Sequence, residues 1–394
     1  MAEQDGRVGL GTIAREWGRI GVLGFGGPPA HILLLRRLCV ERHRRLSAEE
    51  FEDGVAATNL LPGPASTQLA IFTAWRLRGT PGALTGGFFF IAPGLVMIIA
   101  LSALFLGGDP PRWVLGAAAG AGAAVPAVAV QAAAALVPAG LARIGATRAA
   151  GGAAGPRLRW AGYALAGATA AVLAGPWLVL VLLAAGLTEV AVRRARPAPG
   201  RRRTAPLLPV LAAAPAAGGL GALAWVALKV GALSYGGGFV IIPLMQADAV
   251  HRHHWMTDGQ FLNAVALGQI TPGPVVHTVA AVGYAAAGPA GALFAAAVAF
   301  APSFAFVVFG AAHFDRLRAD ARVQDFLTGA GPATVGAVAG SALPLALALH
   351  HGWQFAVLAA AVGWLPVARR GVVGCLLAAG GLGVLAAAAG LPVA

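Results

Sequence analysis

Charge is scarce in this chain. Asp, Glu, Lys and Arg make up only 11% of its 394 residues, where soluble domains carry about a quarter. Lysine is nearly absent: Lys229 stands alone against 27 Arg, so the formal net charge of +13 rests on arginine. Those arginines fall in short segments between apolar runs. The preference of cytoplasmic loops for basic residues explains them without a nucleic-acid partner. Two cysteines, Cys39 and Cys375, are too few for a disulfide framework or a metal cluster. His251, His253 and His254 have only Asp248 nearby and no ligand spacing, so they read as an interfacial loop and no metal is expected. The sequence has no phosphate-binding Gly loop, nucleophile elbow or paired zinc motif, hence no case for an enzyme or a cofactor. Glu3, Asp5, Arg7, Arg15, Glu16 and Arg19 in the first twenty residues speak against a cleavable signal peptide.

What the chain has is hydrocarbon. Hydrophobic residues make up 58%, and 259–314, 160–188, 114–142 and 326–368 contain no Asp, Glu, Lys or Arg. A bilayer crossing needs about 20 apolar residues, so each run holds one or two. The expected fold is an all-α polytopic integral membrane protein, with the lipid bilayer as its first partner.

One stretch occurs twice. Gly268-Gln-Ile-Thr-Pro-Gly-Pro274 repeats Thr58-Asn-Leu-Leu-Pro-Gly-Pro64, and a shift of 210 aligns 21–64 with 231–274 without a gap, 15 of the 44 positions being identical. At a shift of 209 the match resumes at Gly82-Ala-Leu84 with Gly291-Ala-Leu293, and at Ala92-Pro93 with Ala301-Pro302. The expected organisation is an N-terminal repeat (1–192), an Arg-rich linker (193–204) and a C-terminal repeat (205–394).

Within the first half, a helix over about 9–24 runs into Phe25-Gly-Gly-Pro-Pro29, and a second segment continues to about Arg37. Ser47-Ala-Glu-Glu50 and Thr257-Asp-Gly-Gln260 are capping boxes. The spacing predicts a helix from Pro64 fading near Arg76 and Arg78, then spans at about 82–107 and 114–140, and shorter pieces at 160–174 and 177–192. Arg-rich segments in one half correspond to Arg-poor ones in the other, which predicts inverted-topology repeats. For that, 205–228 must supply an extra crossing.

Pro-Gly-Pro must interrupt a helix. In a bilayer such a break survives only where protein or a water-filled cavity surrounds it. A single copy would read as a kink with its hydroxyls bonded back to their own helix; two copies with polar neighbours point to a transporter's binding site. The candidate substrate-binding residues are Gly26, Gly27, Pro28, His31, Pro62, Gly63, Pro64, Ser66, Thr67 and Gln68. In the second half they are Gly236, Gly237, Gly238, Gln269, Thr271, Pro272, Gly273, Pro274, His277 and Thr278. Four helix starts aimed at one pocket would offer an oxyanion unpaired N–H groups and partial positive charge. Arg19, Lys229 and His277 are the charge and coupling candidates. Lys229, set between uncharged 205–228 and 230–247, either faces a cavity or snorkels to an interface. His277 and His31 are the groups that titrate near neutrality, or else neutral hydrogen-bonding residues.

Phe25-Gly-Gly-Pro-Pro-Ala-His31, Leu61-Pro-Gly-Pro64 with Gln68-Leu-Ala70, Tyr235-Gly-Gly-Gly238, Ala266-Leu-Gly-Gln-Ile-Thr-Pro-Gly-Pro274, Gly283-Tyr284 and Ala301-Pro-Ser-Phe304 together resemble the chromate ion transporter (CHR) family in its long, two-domain form. Phe72, Ala74 and Asn59 depart from the family's pattern. The resemblance implies a bacterial-type inner-membrane carrier that expels chromate, driven by the proton motive force, and so confers chromate resistance. A tetrahedral oxyanion such as chromate or sulfate is then the substrate and a proton the coupling ion. A homodimer is left open. The rival readings are a sulfate or other oxyanion carrier, a channel, and an intramembrane enzyme acting on lipid.

Overall fold

The computed structural model describes residues 8–59, 61–108, 110–146, 155–173, 178–194, 219–234, 241–311, 320–367 and 371–393. Fourteen α-helices make up the described part. In the first half these are α1 (Leu10–Leu23), α2 (Pro28–Arg36), α3 (Ala48–Thr58), α4 (Ala65–Leu106), α5 (Arg112–Ala146), α6 (Gly155–Leu173) and α7 (Leu178–Arg194). The second half holds α8 (Leu220–Leu233), α9 (Ile241–Gln246), α10 (Asp258–Ile270), α11 (Thr278–Gly310), α12 (Ala321–Leu347), α13 (Gly352–Val367) and α14 (Val372–Ala388). Among the described residues there is no strand.

The duplication reaches down to single dihedral angles. Helices α1 and α8 have the same bounds 210 residues apart, as do two six-residue π-helical turns, Arg37–Arg42 and Ala247–Arg252. Each π turn is followed by a non-glycine residue at positive φ, Arg44 at 48° and His254 at 52°. Both capping boxes are formed, Ser47 with Glu50 and Thr257 with Gln260.

Helices α4 and α11 share one interruption, at Arg78 and Gly79 (φ 63°) and at Ala287 and Gly288 (φ 64°). The helix from Pro64 thus breaks just after Arg76, at Arg78 and Gly79, as its spacing predicts, and a new segment follows to Leu106. Pro81 and Pro289 follow the kinks, at the start of a new helical segment, where a missing N–H does no harm. Residues 65–77 rise only about 20 Å and 80–106 about 40 Å, so only the second segment can cross a bilayer core of about 30 Å. Among the described residues four helices are long and apolar enough to cross: Ala65–Leu106, Arg112–Ala142, Val275–Gly310 and Ala321–Leu347. Their outer faces expose large side chains such as Val96, Phe309 and Leu347, as hydrocarbon solvent allows.

Of 205–228 only 219–228 are described, where α8 begins after Gly219 and runs through Lys229 to Leu233 as the mate of α1; the extra crossing expected of this piece falls mostly outside the described residues. Helix α7 continues through Arg193 and Arg194 into the segment read as linker, because Glu189 and Asp325 hold Arg193 at 2.7 and 3.3 Å.

The halves interlock. Helix α4 packs on its mate α11 and α5 on its mate α12, while α6 and α7 pack on α12 and α13 and α14 pack on α5. Small residues allow the close approach: Gly167 meets Ala333, Gly336 meets Ala164, and Gly116 meets Gly383, backbone against backbone. Lipid tails are as apolar as leucine, so backbone-to-backbone packing of this kind is what holds membrane helices together.

Candidate functional site

Two helical hairpins carry the site. In the first, α3 and the opening segment of α4 lie antiparallel, with Gly54 against Leu69 and Phe72 and an ion pair between Glu50 and Arg76 at the base. The tip is Pro62-Gly63-Pro64. In the second, Gly268 of α10 lies against Thr278 of α11, and the tip is Pro272-Gly273-Pro274. Gly63 and Gly273 adopt φ of 119° and 100°, where a Cβ would be strained.

Each tip is gripped by the other half. The Gly273 N–H donates to the Gly24 carbonyl at 3.0 Å, an orphan acceptor at the C-cap of α1. His31 Nε2 sits 2.8 Å from the same carbonyl and Nδ1 3.1 Å from Ser66 Oγ. A carbonyl only accepts, so Nε2 carries the proton and Nδ1 faces the serine hydroxyl. Gly94 of α4 lies against the Pro272 carbonyl and the His277 ring. At the first tip, a Cβ on Gly63 would come within 3.3 Å of the Gly231 carbonyl of α8 and 3.4 Å of Ser303 Oγ of α11. Ser303 is the mate of Gly94 at the 209-residue shift. Phe90 and Phe300 stand edge-on to His31 and His277 at 5.1 and 5.4 Å.

Between these breaks lies a cavity of about 390 Å³, bordered by Gly26, Gly27 and Pro28, by Asn59 and Ala65, by Gln131, and by Gln269, Thr271, Gly273 and Val275. Its lining among the described residues carries no charged side chain. Ala65 and Val275 are mates in the first helical turns after the two tips. The hydrogen-bond ladder there starts only with Thr67 and Gln68 onto Pro64 O (2.9 and 3.0 Å) and with His277 onto Pro274 O (2.9 Å). The earlier amides therefore precede the ladder and leave partial positive charge at the cavity wall. Helix α2 differs from expectation. Its first two residues, Pro28 and Pro29, have no N–H, and Ala30 and His31 turn back onto Gly27 O at 3.1 and 3.2 Å, so its start offers a dipole with few donors.

Several buried polar atoms near the breaks have no protein partner: Gln131 Oε1, Gln269 Nε2, Thr67 Oγ1, Gln68 Oε1, Ser234 Oγ and Ser303 Oγ. Burying such a group unsatisfied costs about 1–3 kcal/mol, so this is hydrogen-bonding capacity that the fold itself does not use. Gln68 also holds its own tip, Nε2 donating to Pro62 O at 2.7 Å. Thr271 and Thr278 instead bond back to Gly268 O (3.3 Å) and Val275 O (2.8 Å), as an ordinary kink would have them.

The structure thus brings together Gly26, Gly27, Pro28, His31 and Ser66 with both Pro-Gly-Pro tips, Gln68, Gln269 and His277. Gly236, Gly237 and Gly238 lie outside the described residues. It does not bring Arg19 or Lys229 to the cavity. Arg19 is exposed in a separate cleft. Lys229 does not snorkel: it is buried against Asp248, with Trp225 5.8 Å away.

Sequence reasoning missed Gln131, Gly94 and Asp248. Gln131 had a signal, being the one polar side chain in the charge-free run 114–142. Asp248 had none, because only the π turn shows that it points inward.

Sequence similarity to other proteins extends along most of the chain. A chromate transport protein of Cupriavidus metallidurans is 32% identical over 339 residues, 83% of this chain and 80% of the relative. A chromate transport protein of Pseudomonas aeruginosa is 32% identical over 348 residues, with 83% and 79% covered. A probable chromate transport protein of Synechococcus elongatus is 29% identical over 335 residues, with 83% and 82% covered. No solved structure matches the chain. The family model described as chromate transporter matches residues 11–190 and 221–387, and with both halves covered in order, this multi-pass membrane protein belongs to the chromate transporter family.

Proposed function

We propose that the chain is a secondary active transporter that exports chromate across the bacterial cytoplasmic membrane, coupled to the proton motive force, and so confers chromate resistance. The observation that supports this reading best is the junction of Gly273 with Gly24 beside an uncharged cavity. There, broken helices from opposite halves present helix starts and unused polar groups to one volume. Neutral N–H and hydroxyl donors at helix starts suit a dianion that must also be released. At about 390 Å³ the cavity falls in the size class of small-ligand sites, ~300–1,000 Å³, with room for a tetrahedral oxyanion and part of its hydration shell.

Inverted repeats, as read from the arginine distribution, would let one bundle rock against the other around this fixed site. His31 and His277 flank the junction and are the candidate proton carriers. Sulfate has nearly the shape and charge of chromate, and a sulfate carrier is the alternative. Purified protein in liposomes decides between them. Labelled chromate and labelled sulfate are offered with and without an imposed pH gradient; saturable chromate transport that needs the gradient supports the proposal. Sulfate transport that chromate does not inhibit contradicts it.

A further inference from the structure

Outside the site, four arginines converge on a cleft of about 620 Å³ between α1 and the π turn after α2. Arg15 and Arg19 come from α1, Arg37 and Arg42 from the ends of the π turn. Two carboxylates also reach the cleft, but each already has partners elsewhere. Glu16 holds Arg45 at 2.5 Å and His43 at 3.0 Å, and Glu41 faces Arg36 at 4.0 Å. None of the four cleft arginines makes an ion pair with a described residue, and all four are exposed.

The backbone explains the convergence. Arg15, Arg19 and Leu23 are spaced four apart and share one face of α1. In an α-helix Arg37 and Arg42 would point about 140° apart; the π turn, with its i→i+5 bonds, brings them onto one line. Towards the Gly24–Gly27 break the walls become apolar, with Ile20, Leu23 and Leu34. Exposed Val22, Phe25 and Leu33 continue that surface outward. The cleft is therefore cationic at one end and greasy at the other. The equivalent surface of the second half is closed: residues 241–250 are buried, α9 packs on α12, and Lys229 is paired with Asp248.

We propose that this cleft binds an anionic phospholipid, with the headgroup phosphate among Arg15, Arg19, Arg37 and Arg42 and the acyl chains along Leu23 and Leu34. A free oxyanion would need the arginines but not the apolar end; a lipid needs both. Basic pockets beside membrane-spanning helices are suited to such headgroups. The inference does not depend on the transport reading, because its readout is binding.

The test uses the full chain in detergent, stripped of lipid and titrated with phosphatidylglycerol or phosphatidylcholine under native mass spectrometry. Wild type is expected to hold phosphatidylglycerol and not phosphatidylcholine. Arg19→Gln, Arg37→Gln and Arg42→Gln should each weaken the binding about fivefold, while Arg157→Gln, an exposed arginine outside the cleft, leaves it unchanged. These side chains are on the surface, and the single variants keep the fold under test. Equal retention of both lipids, or unchanged affinity in all three cleft variants, would overturn the proposal. Displacement of phosphatidylglycerol by inorganic phosphate alone would assign the cleft to free oxyanions and overturn it as well.

Discussion

Lys229 and Asp248 form a buried ion pair between α8 and the π turn that follows α9, with their side chains 8% and 1% exposed. The first half has no such pair, since their repeat mates are Arg19 and Leu38. Removing one member leaves the other charged and without its partner, at a cost of about 3–5 kcal/mol, whereas neutralising both is far milder. Lys229→Gln and Asp248→Asn should each lower the melting temperature, and the double variant should recover most of the loss. A double variant that is stable but inactive in liposomes would give the pair a role in transport; full activity would make it structural.

Gln131 and Gln269 give an opposite signature. Their unpartnered amide atoms add nothing to the fold, so Gln131→Leu should leave the melting temperature unchanged or raise it. If the amide meets substrate, the same change raises the KM for chromate about tenfold, the worth of one good hydrogen bond. A lowered melting temperature with an unchanged KM would count against the assignment.

Three glycines separate packing from backbone strain. A methyl at Gly94 would overlap the Pro272 carbonyl and the His277 ring, so Gly94→Ala should cost about 1–3 kcal/mol and impair transport by displacing the tip. Gly27 has open space around it but φ of 72° with ψ of −156°, a region that is essentially glycine's alone, and Gly27→Ala should cost about 1–3 kcal/mol through strain alone. Gly331, inside α12 and uncrowded, should gain about 0.5–1 kcal/mol on replacement by Ala. Thermal denaturation of the three variants checks the order.

The base of the first hairpin carries a pH dependence. The Ser47 backbone N–H bonded to Glu50 holds the carboxyl below its ordinary range, helped by Arg76 and opposed by partial burial. A depressed carboxyl contributes stability above its unfolded pKa and loses it as pH falls through the folded value. Acidification should therefore weaken this hairpin, by less than about 1 kcal/mol because the Glu50–Arg76 pair is half-exposed. Glu50→Gln copies the Gln260 capping box of the second half and should remove this component of the acid dependence, read as melting temperature against pH.

Much of this was legible in the chain because prolines and glycines punctuate it. The caps at Ser47 and Thr257, the two tips and the α1–α2 break follow from local chemistry. The interlocking of the halves was not legible, because Gly167 on Ala333 looks like any other small residue in an alanine-rich helix. Nor were the π turns, whose sequences Arg37–Arg42 and Ala247–Arg252 share only Val40 with Val250 and Arg42 with Arg252, and with them went the Asp248 pair and the arginine cleft. The donor-poor start of α2 was written in Pro28-Pro29, neither of which has an N–H to offer.

The most direct test of the central claim is a saturation curve for labelled chromate entering proteoliposomes, wild type against Ala65→Leu. Ala65 borders the cavity at the first helix start after Pro64, and a leucine there fills the space without adding charge. The account predicts saturable uptake by wild type and at least a tenfold lower rate in the variant at an unchanged melting temperature. Wild-type uptake by Ala65→Leu would contradict it.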